Sequence, residues 1–244
     1  FAVDQALSLN AQKWLFLGFL MAFAVKVPMW PVHTWLPDAH TEAPAAGSVV
    51  LAALMLKVGA YGFFRFCLPI LPDASRFFST PMIILSLIAI VYIGLVALAQ
   101  KDLKRLIAYS SVAHMGFVSL GCFAIYSIAE HAGPVFAQMA LEGALIQMVA
   151  HAFGSGAMFL AFGLLYMRYH TRLIERFGGL ARVMPFFSAC FLIFALSNVG
   201  LPGTAGFVGE FMVIIATFQA NSWVALCAGL TLIIGAAYTL WMFR

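Results

Sequence analysis

Seven apolar stretches, each long enough to cross a bilayer, follow one another along this chain with only Pro, Gly and charged clusters between them. They read as helices at about 12–36, 44–68, 80–100, 103–127, 136–167, 186–219 and 223–243. Such a series predicts an all-α, polytopic transmembrane bundle. A span needs about 20 residues, so seven spans use nearly all of the 244 residues, leaving no room for an extramembrane catalytic domain. A water-soluble enzyme is excluded by the 64% hydrophobic and 9% charged composition, with a mean hydropathy of +1.01.

The few charges report on orientation. Thirteen Lys and Arg against nine Asp and Glu give a net charge of +4, with no basic run for nucleic acid to meet. Lys101, Lys104 and Arg105 crowd one turn, and Arg168, Arg172, Arg176 and Arg182 another. The predicted loops at Asp38–Glu42, 128–135 and 220–222 have no Lys or Arg. Counted by side, the two basic turns and Arg244 face the cytoplasm, and the first helix runs from outside to inside. Arg65 reads as a further topology anchor at a helix end. Cys67, Cys122, Cys190 and Cys227 each sit alone in apolar sequence, which reads as small buried hydrophobes rather than a metal or redox site. The chain begins at Phe1 and enters an apolar segment without a cleavable signal pattern, so it is expected to be part of a larger membrane protein.

Two of the helices carry breaks. Lys26-Val-Pro28-Met-Trp-Pro31 sets two prolines after a lysine, and Gly200-Leu-Pro202-Gly203-Thr-Ala-Gly206 interrupts the sixth stretch, with Glu210 one turn beyond. Ordinary proline kinks would account for the backbone alone. Irregular backbone at membrane depth needs protein or a water-filled cavity to satisfy it, and paired broken segments with an ionisable residue at each mark ion sites in repeat-built transporters.

Five titratable side chains fall inside the predicted spans: Lys26, Lys57, His114, His151 and Glu210. Each charge at the bilayer centre costs about 2.5–3.5 kcal/mol on insertion scales, so a set of five is expensive unless its members face one another or water. Proton relays are the usual reason to keep such a set. Gln147, His151 and Ser155 recur at i, i+4 and i+8, and Ser110 with His114 makes a shorter stripe. The competing readings are a histidine used as an interhelical hydrogen-bonder and Lys57 snorkelling to an interface beside Tyr61. Glu142 is open between rim and pathway. No nucleophile with base and acid, no phosphate loop and no metal cluster is present, so the chemistry is ion movement with any redox step elsewhere.

Lys26-Val-Pro28, His33-Thr-Trp35-Leu-Pro37-Asp38-Ala-His40, Glu42-Ala-Pro44 and Leu56-Lys57-Val-Gly-Ala-Tyr61-Gly open a series of motifs. It continues through Asp102-Leu-Lys104-Arg105-Leu-Ile-Ala-Tyr109-Ser110-Ser-Val-Ala-His114-Met-Gly116, Gln147-Met-Val-Ala-His151, His170-Thr-Arg172, Leu201-Pro202-Gly203 and Phe207-Val-Gly-Glu210-Phe. In this order the series resembles the antiporter-like subunit M family of bacterial respiratory complex I (NADH:quinone oxidoreductase), subunit 4 of the mitochondrial enzyme. The resemblance implies a fourteen-helix fold with two inverted five-helix repeats, of which this chain carries the seventh to thirteenth helices. Residues 12–68 would be the last two helices of the first repeat and 80–243 the second repeat, all within a single membrane domain. The family's broken-helix lysine falls on Lys26, its next lysine on Lys57, its mid-membrane histidines on His114 and His151, and its exit carboxylate on Glu210. The glutamate that pairs with Lys26 in the family belongs to an earlier helix. Two departures are Met167 where the family often has Glu, weakening any ion pair at that turn, and Ala152 where Gly commonly follows the histidine.

The resemblance implies a proton-translocating subunit in the bacterial cytoplasmic membrane, rather than the mitochondrial one. It would work beside other membrane subunits, including neighbouring antiporter-like ones, with no cofactor or metal of its own. FMN, iron–sulfur clusters and quinone would belong to the parent complex. The alternative is a subunit of a multisubunit Na⁺/H⁺ antiporter or membrane-bound hydrogenase. A purely structural or quinone-binding subunit is disfavoured, since neither needs a line of buried charges.

Overall fold

The computed structural model describes residues 7–243, and Phe1 and Arg244 lie outside them. In chain order the helices are α1 Leu9–Lys26, α2 Trp35–Glu42, α3 Ala45–Ile70, α4 Pro72–Phe77, α5 Ser79–Leu98, α6 Leu103–Phe123, α7 Ile125–Ala132, α8 Pro134–Tyr169, α9 Leu180–Val183, α10 Pro185–Val199, α11 Ala205–Ala220 and α12 Ser222–Phe243. Five of them, α3, α5, α6, α8 and α12, are long and apolar enough to cross a membrane. The other two stretches expected to span are each divided between two shorter helices, α1 and α2 and α10 and α11.

Both breaks fall on the proline and glycine clusters. Residues 27–34, with Pro28 and Pro31, separate α1 from α2, and residues 200–204, with Pro202 and Gly203, separate α10 from α11. Gly200 and Gly203 take φ of 77° and 96°, which only glycine adopts without strain. Three expectations need correction. The segment Asp38–Glu42 is helical rather than a loop, because Pro37 falls in the first turn of α2, where its missing N–H costs nothing. The stretch expected at 103–127 ends at Phe123 and restarts after Ala124 as α7, so most of the expected loop at 128–135 is helix as well. Cys67 and Cys122 are buried as expected, but Cys190 and Cys227 are only half-buried.

α6 is the central helix, buried along nearly its whole length. Its start is fixed by Asp102, whose carboxylate accepts from the backbone of Lys104 and Arg105 at 2.8 and 3.2 Å. The same end of the bundle is tied together by polar contacts. Arg172 lies 3.2 Å from Asp102, Arg105 lies 2.7 Å from Asp38, and Lys104 Nζ donates to the Ala43 carbonyl at 2.6 Å. Arg76 and Glu130 pair at the opposite end. Both Lys/Arg-rich turns therefore lie at one end, as the charge count requires. The membrane side can be read directly. Lys101→Cys and Arg176→Cys, both at exposed sites, are expected to resist an impermeant thiol reagent outside intact cells expressing the full-length protein in a cysteine-free background. Ser222→Cys, at the other end, should label rapidly. The reverse pattern would invert the topology.

α8 packs closely on α11. A Cβ at Gly209 would lie 2.6 Å from the Gln147 backbone nitrogen, and one at Gly143 would lie 2.8 Å from Met212 Cβ. Glycine at 209 is what lets α11 approach α8 so that Glu210, the next residue, reaches into the bundle. Gly209→Ala is therefore expected to overpack this contact by about 1–3 kcal/mol, seen as a lower thermal midpoint of the full-length protein in detergent. An unchanged midpoint would argue against the close approach.

Candidate functional site

A line of polar side chains from four helices crosses the apolar middle of the bundle. It starts on α3, where the stretch Leu51–Met55 winds as a π-helix just before Lys57, a local departure frequent at functional sites. Lys57 Nζ donates to the Ala52 carbonyl at 2.6 Å and lies 2.7 Å from His151 Nδ1 on α8. The ammonium is thus turned inward and not snorkelling, while Tyr61 is exposed. The His151 ring is next to that of His114 on α6, with centroids 5.6 Å apart. His114 Nδ1 is 2.7 Å from Glu210 Oε1 on α11, and Gln147 Nε2 donates to the same oxygen at 2.9 Å.

All of these groups except Lys57, which is half-buried, have almost no solvent exposure; Glu210 is 1% exposed. Their positions follow from local rules. Gln147 and His151 are one helical turn apart and so share the inner face of α8. Glu210 fits because Gly200, at the break, has no side chain: a Cβ there would sit 2.9 Å from Glu210 Oε2. His151 Nε2, Gln147 Oε1 and Glu210 Oε2 have no protein partner among the described residues. Chemically the order is an ammonium that only donates, two imidazoles that each donate and accept, and a carboxylate that accepts. Groups in that order can hand a proton along.

Other expected site residues lie off this line. Lys26, at the end of α1, is exposed, and its ammonium has no hydrogen-bond partner among the described residues. The hydroxyls of Ser110 and Ser155 are buried but donate to carbonyls of their own helices, Ile107 and His151, at 2.9 and 2.6 Å. Glu142 is at the rim, exposed and bonded to Gln138. No group of three or more His, Cys, Asp or Glu that could hold a metal occurs among the described residues.

Two residues were missed. Tyr238 of α12 is 1% exposed and places its hydroxyl 3.2 Å from His114 Nε2. The signal that could have found it is the run Thr231, Gly235, Tyr238 and Thr239, a small or polar stripe at i, i+4, i+7 and i+8. His40 is fully buried and stacked on Phe159 with centroids 4.3 Å apart, and neither ring nitrogen has a protein partner among the described residues.

A family model described as NADH:quinone oxidoreductase/Mrp antiporter, TM, matches residues 2–235. The chain is 54% identical over 235 residues to the NADH-quinone oxidoreductase subunit M of Rhodobacter capsulatus, covering 96% of this chain and 44% of that protein. It is 48% identical to NADH-ubiquinone oxidoreductase chain 4 of Marchantia polymorpha, covering 96% of this chain and 45% of that protein. Among solved structures it resembles a chain of respiratory complex I from Thermus thermophilus with a TM-score of 0.88 and 38% identity, over 98% of this chain and 49% of that one. A chain of the Mrp complex from a Dietzia species gives a TM-score of 0.79 at 25% identity, over 91% of this chain and 39% of that one. The chain spans less than half the length of these curated relatives. Because the family model matches nearly all of it, the chain belongs to the NADH:quinone oxidoreductase/Mrp antiporter family of membrane proteins.

Proposed function

We propose that this chain moves protons across the membrane as part of an antiporter-like subunit of NADH:quinone oxidoreductase, with electron transfer from NADH to quinone carried out by other subunits. The observation that carries the reading is the buried series Lys57, His151, His114 and Glu210, in which successive members lie 2.7 Å apart except at the imidazole pair. A buried series of titratable groups is costly in an apolar interior and is kept where protons move. Lys57, His151 and His114 form the central relay and Glu210 the exit carboxylate. Lys26 serves as the switch at the entry half-channel, its exposed ammonium available to a carboxylate from the remainder of the longer subunit. Residues 12–68 then close the first repeat and 80–243 form the second. FMN, iron–sulfur clusters and quinone belong to neighbouring subunits, and the assembly sits in a bacterial cytoplasmic membrane.

A second reading, a subunit of a multisubunit Na⁺/H⁺ antiporter or membrane-bound hydrogenase, is favoured by the likeness to the Mrp chain. The 54% identity to a subunit M weighs for the first. Purification of the tagged full-length protein from its own membrane separates them. Co-purifying flavin and iron–sulfur subunits with quinone reductase activity are the expected outcome. Recovery with antiporter subunits alone would favour the second reading.

A further inference from the structure

We propose that the Tyr238 hydroxyl is a positioning residue for proton transfer, holding the His114 ring with Nδ1 on Glu210 before and after a proton passes between them; the inference rests on the proton-relay reading above. A carboxylate only accepts, so with Glu210 ionised the proton of the 2.7 Å contact is on His114 Nδ1. In the neutral ring Nε2 is then a bare acceptor, and the phenol 3.2 Å away donates to it. When the ring carries its second proton, Nε2–H becomes a donor and the same phenol oxygen accepts. Transfer then breaks the Nδ1–H bond and forms an Oε1–H bond on Glu210. One proton and no electrons move, and the ring is left neutral, protonated on Nε2 and still held by Tyr238.

A hydroxyl both donates and accepts through one atom by turning its O–H bond, so Tyr238 serves all three states without moving its ring. Phenylalanine keeps the ring but serves none of them. The anchor comes from a separate helix: α12 holds Nε2, α11 presents Glu210 to Nδ1, and α8 presents Gln147 and His151. The charged and titratable groups facing His114 are thus Glu210 from α11, His151 from α8 with Lys57 of α3 behind it, and Tyr238 itself. A Tyr238 that only filled space would owe nothing to its hydroxyl.

The test is Tyr238→Phe in the full-length subunit within its assembled complex, with proton pumping measured in sealed vesicles across a range of pH. Loss of one hydrogen bond is expected to lower pumping roughly two- to tenfold with assembly unchanged. Bonds from a charged donor are the stronger ones, so the imidazolium loses more than the neutral ring and the alkaline limb of the pH profile is expected to move to lower pH. Lower pumping with an unmoved profile would mark a packing role and overturn the inference. So would wild-type behaviour of Tyr238→Phe alongside a pumping-dead Glu210→Gln, an outcome that leaves the relay reading standing. Wild-type pumping by Glu210→Gln would overturn both together. If Tyr238→Phe fails to assemble, a ring-fluorinated tyrosine at 238 keeps shape and hydroxyl and must still displace the pH profile, and an unshifted profile would overturn the inference.

Discussion

Glu210→Gln is expected to lose most proton pumping, by about a hundredfold or more if it removes a proton-transfer group, while Glu210→Asp keeps part of it. The geometry makes this pair of substitutions informative. Glutamine has nearly the volume of glutamate, and its carbonyl oxygen can still accept from His114 Nδ1 and Gln147 Nε2, which meet the carboxylate at 2.7 and 2.9 Å. The contacts of the site survive, and what disappears is the ability to take up and release a proton. Aspartate reverses the balance: it is titratable but one methylene short, so its reach to His114 is lengthened while its proton chemistry remains. If Glu210 only satisfied the broken backbone and its neighbours by hydrogen bonds, the order would invert, with Gln nearly silent and Asp at least as harmful. A buried acid used only as an acceptor carries a desolvation cost that an amide largely avoids. Pumping in sealed vesicles, with assembly checked separately, decides between them, and wild-type pumping in the Gln variant would remove Glu210 from the relay.

Lys57→Ala is expected to reduce pumping and the coupled quinone reduction on a similar scale, about a hundredfold, in a complex that still assembles. The lysine is fixed from two sides, 2.6 Å from the Ala52 carbonyl and 2.7 Å from His151 Nδ1. An ammonium only donates, so with Lys57 charged His151 Nδ1 is an acceptor and the imidazole proton is on Nε2, the nitrogen with no protein partner. Passing a proton from Nζ to Nδ1 therefore makes Nε2–H the next proton available. Alanine deletes the source and leaves the carbonyl and Nδ1 without their donor. Lys57→Arg keeps a charge and a donor, but a guanidinium does not release its proton, so it too is expected to block pumping. Normal pumping by both variants would reduce Lys57 to a packing residue.

The long helical segments, their order and the places where two of them break followed from the sequence. Length and hydropathy determine which segments must be helical in a bilayer, because unpaired backbone groups have no water there, and Pro28, Pro31, Pro202 and Gly203 cannot continue a helix at low cost. The charges stood out because Lys57 and Glu210 interrupt apolar runs, and the spacing of Gln147 and His151 put them on one face. Helicity at Asp38–Glu42 and the restart after Ala124 were obscured, since polar residues at a helix end look like loop residues.

What only the tertiary structure decided was which side chains meet. In a membrane helix the lipid-facing and protein-facing sides are both apolar, so hydropathy does not fix the rotation of a helix about its axis. That rotation turns Lys57 toward His151, while Lys26, also a lysine in an apolar helix, meets none of these groups among the described residues. It also brings Tyr238 from the last helix to His114, 124 residues away in sequence. The contacts of Glu210 with α6 and α8 depend on the close approach of α8 and α11 at Gly209 and on the break at Gly200, and those are properties of packed helices that no single segment carries.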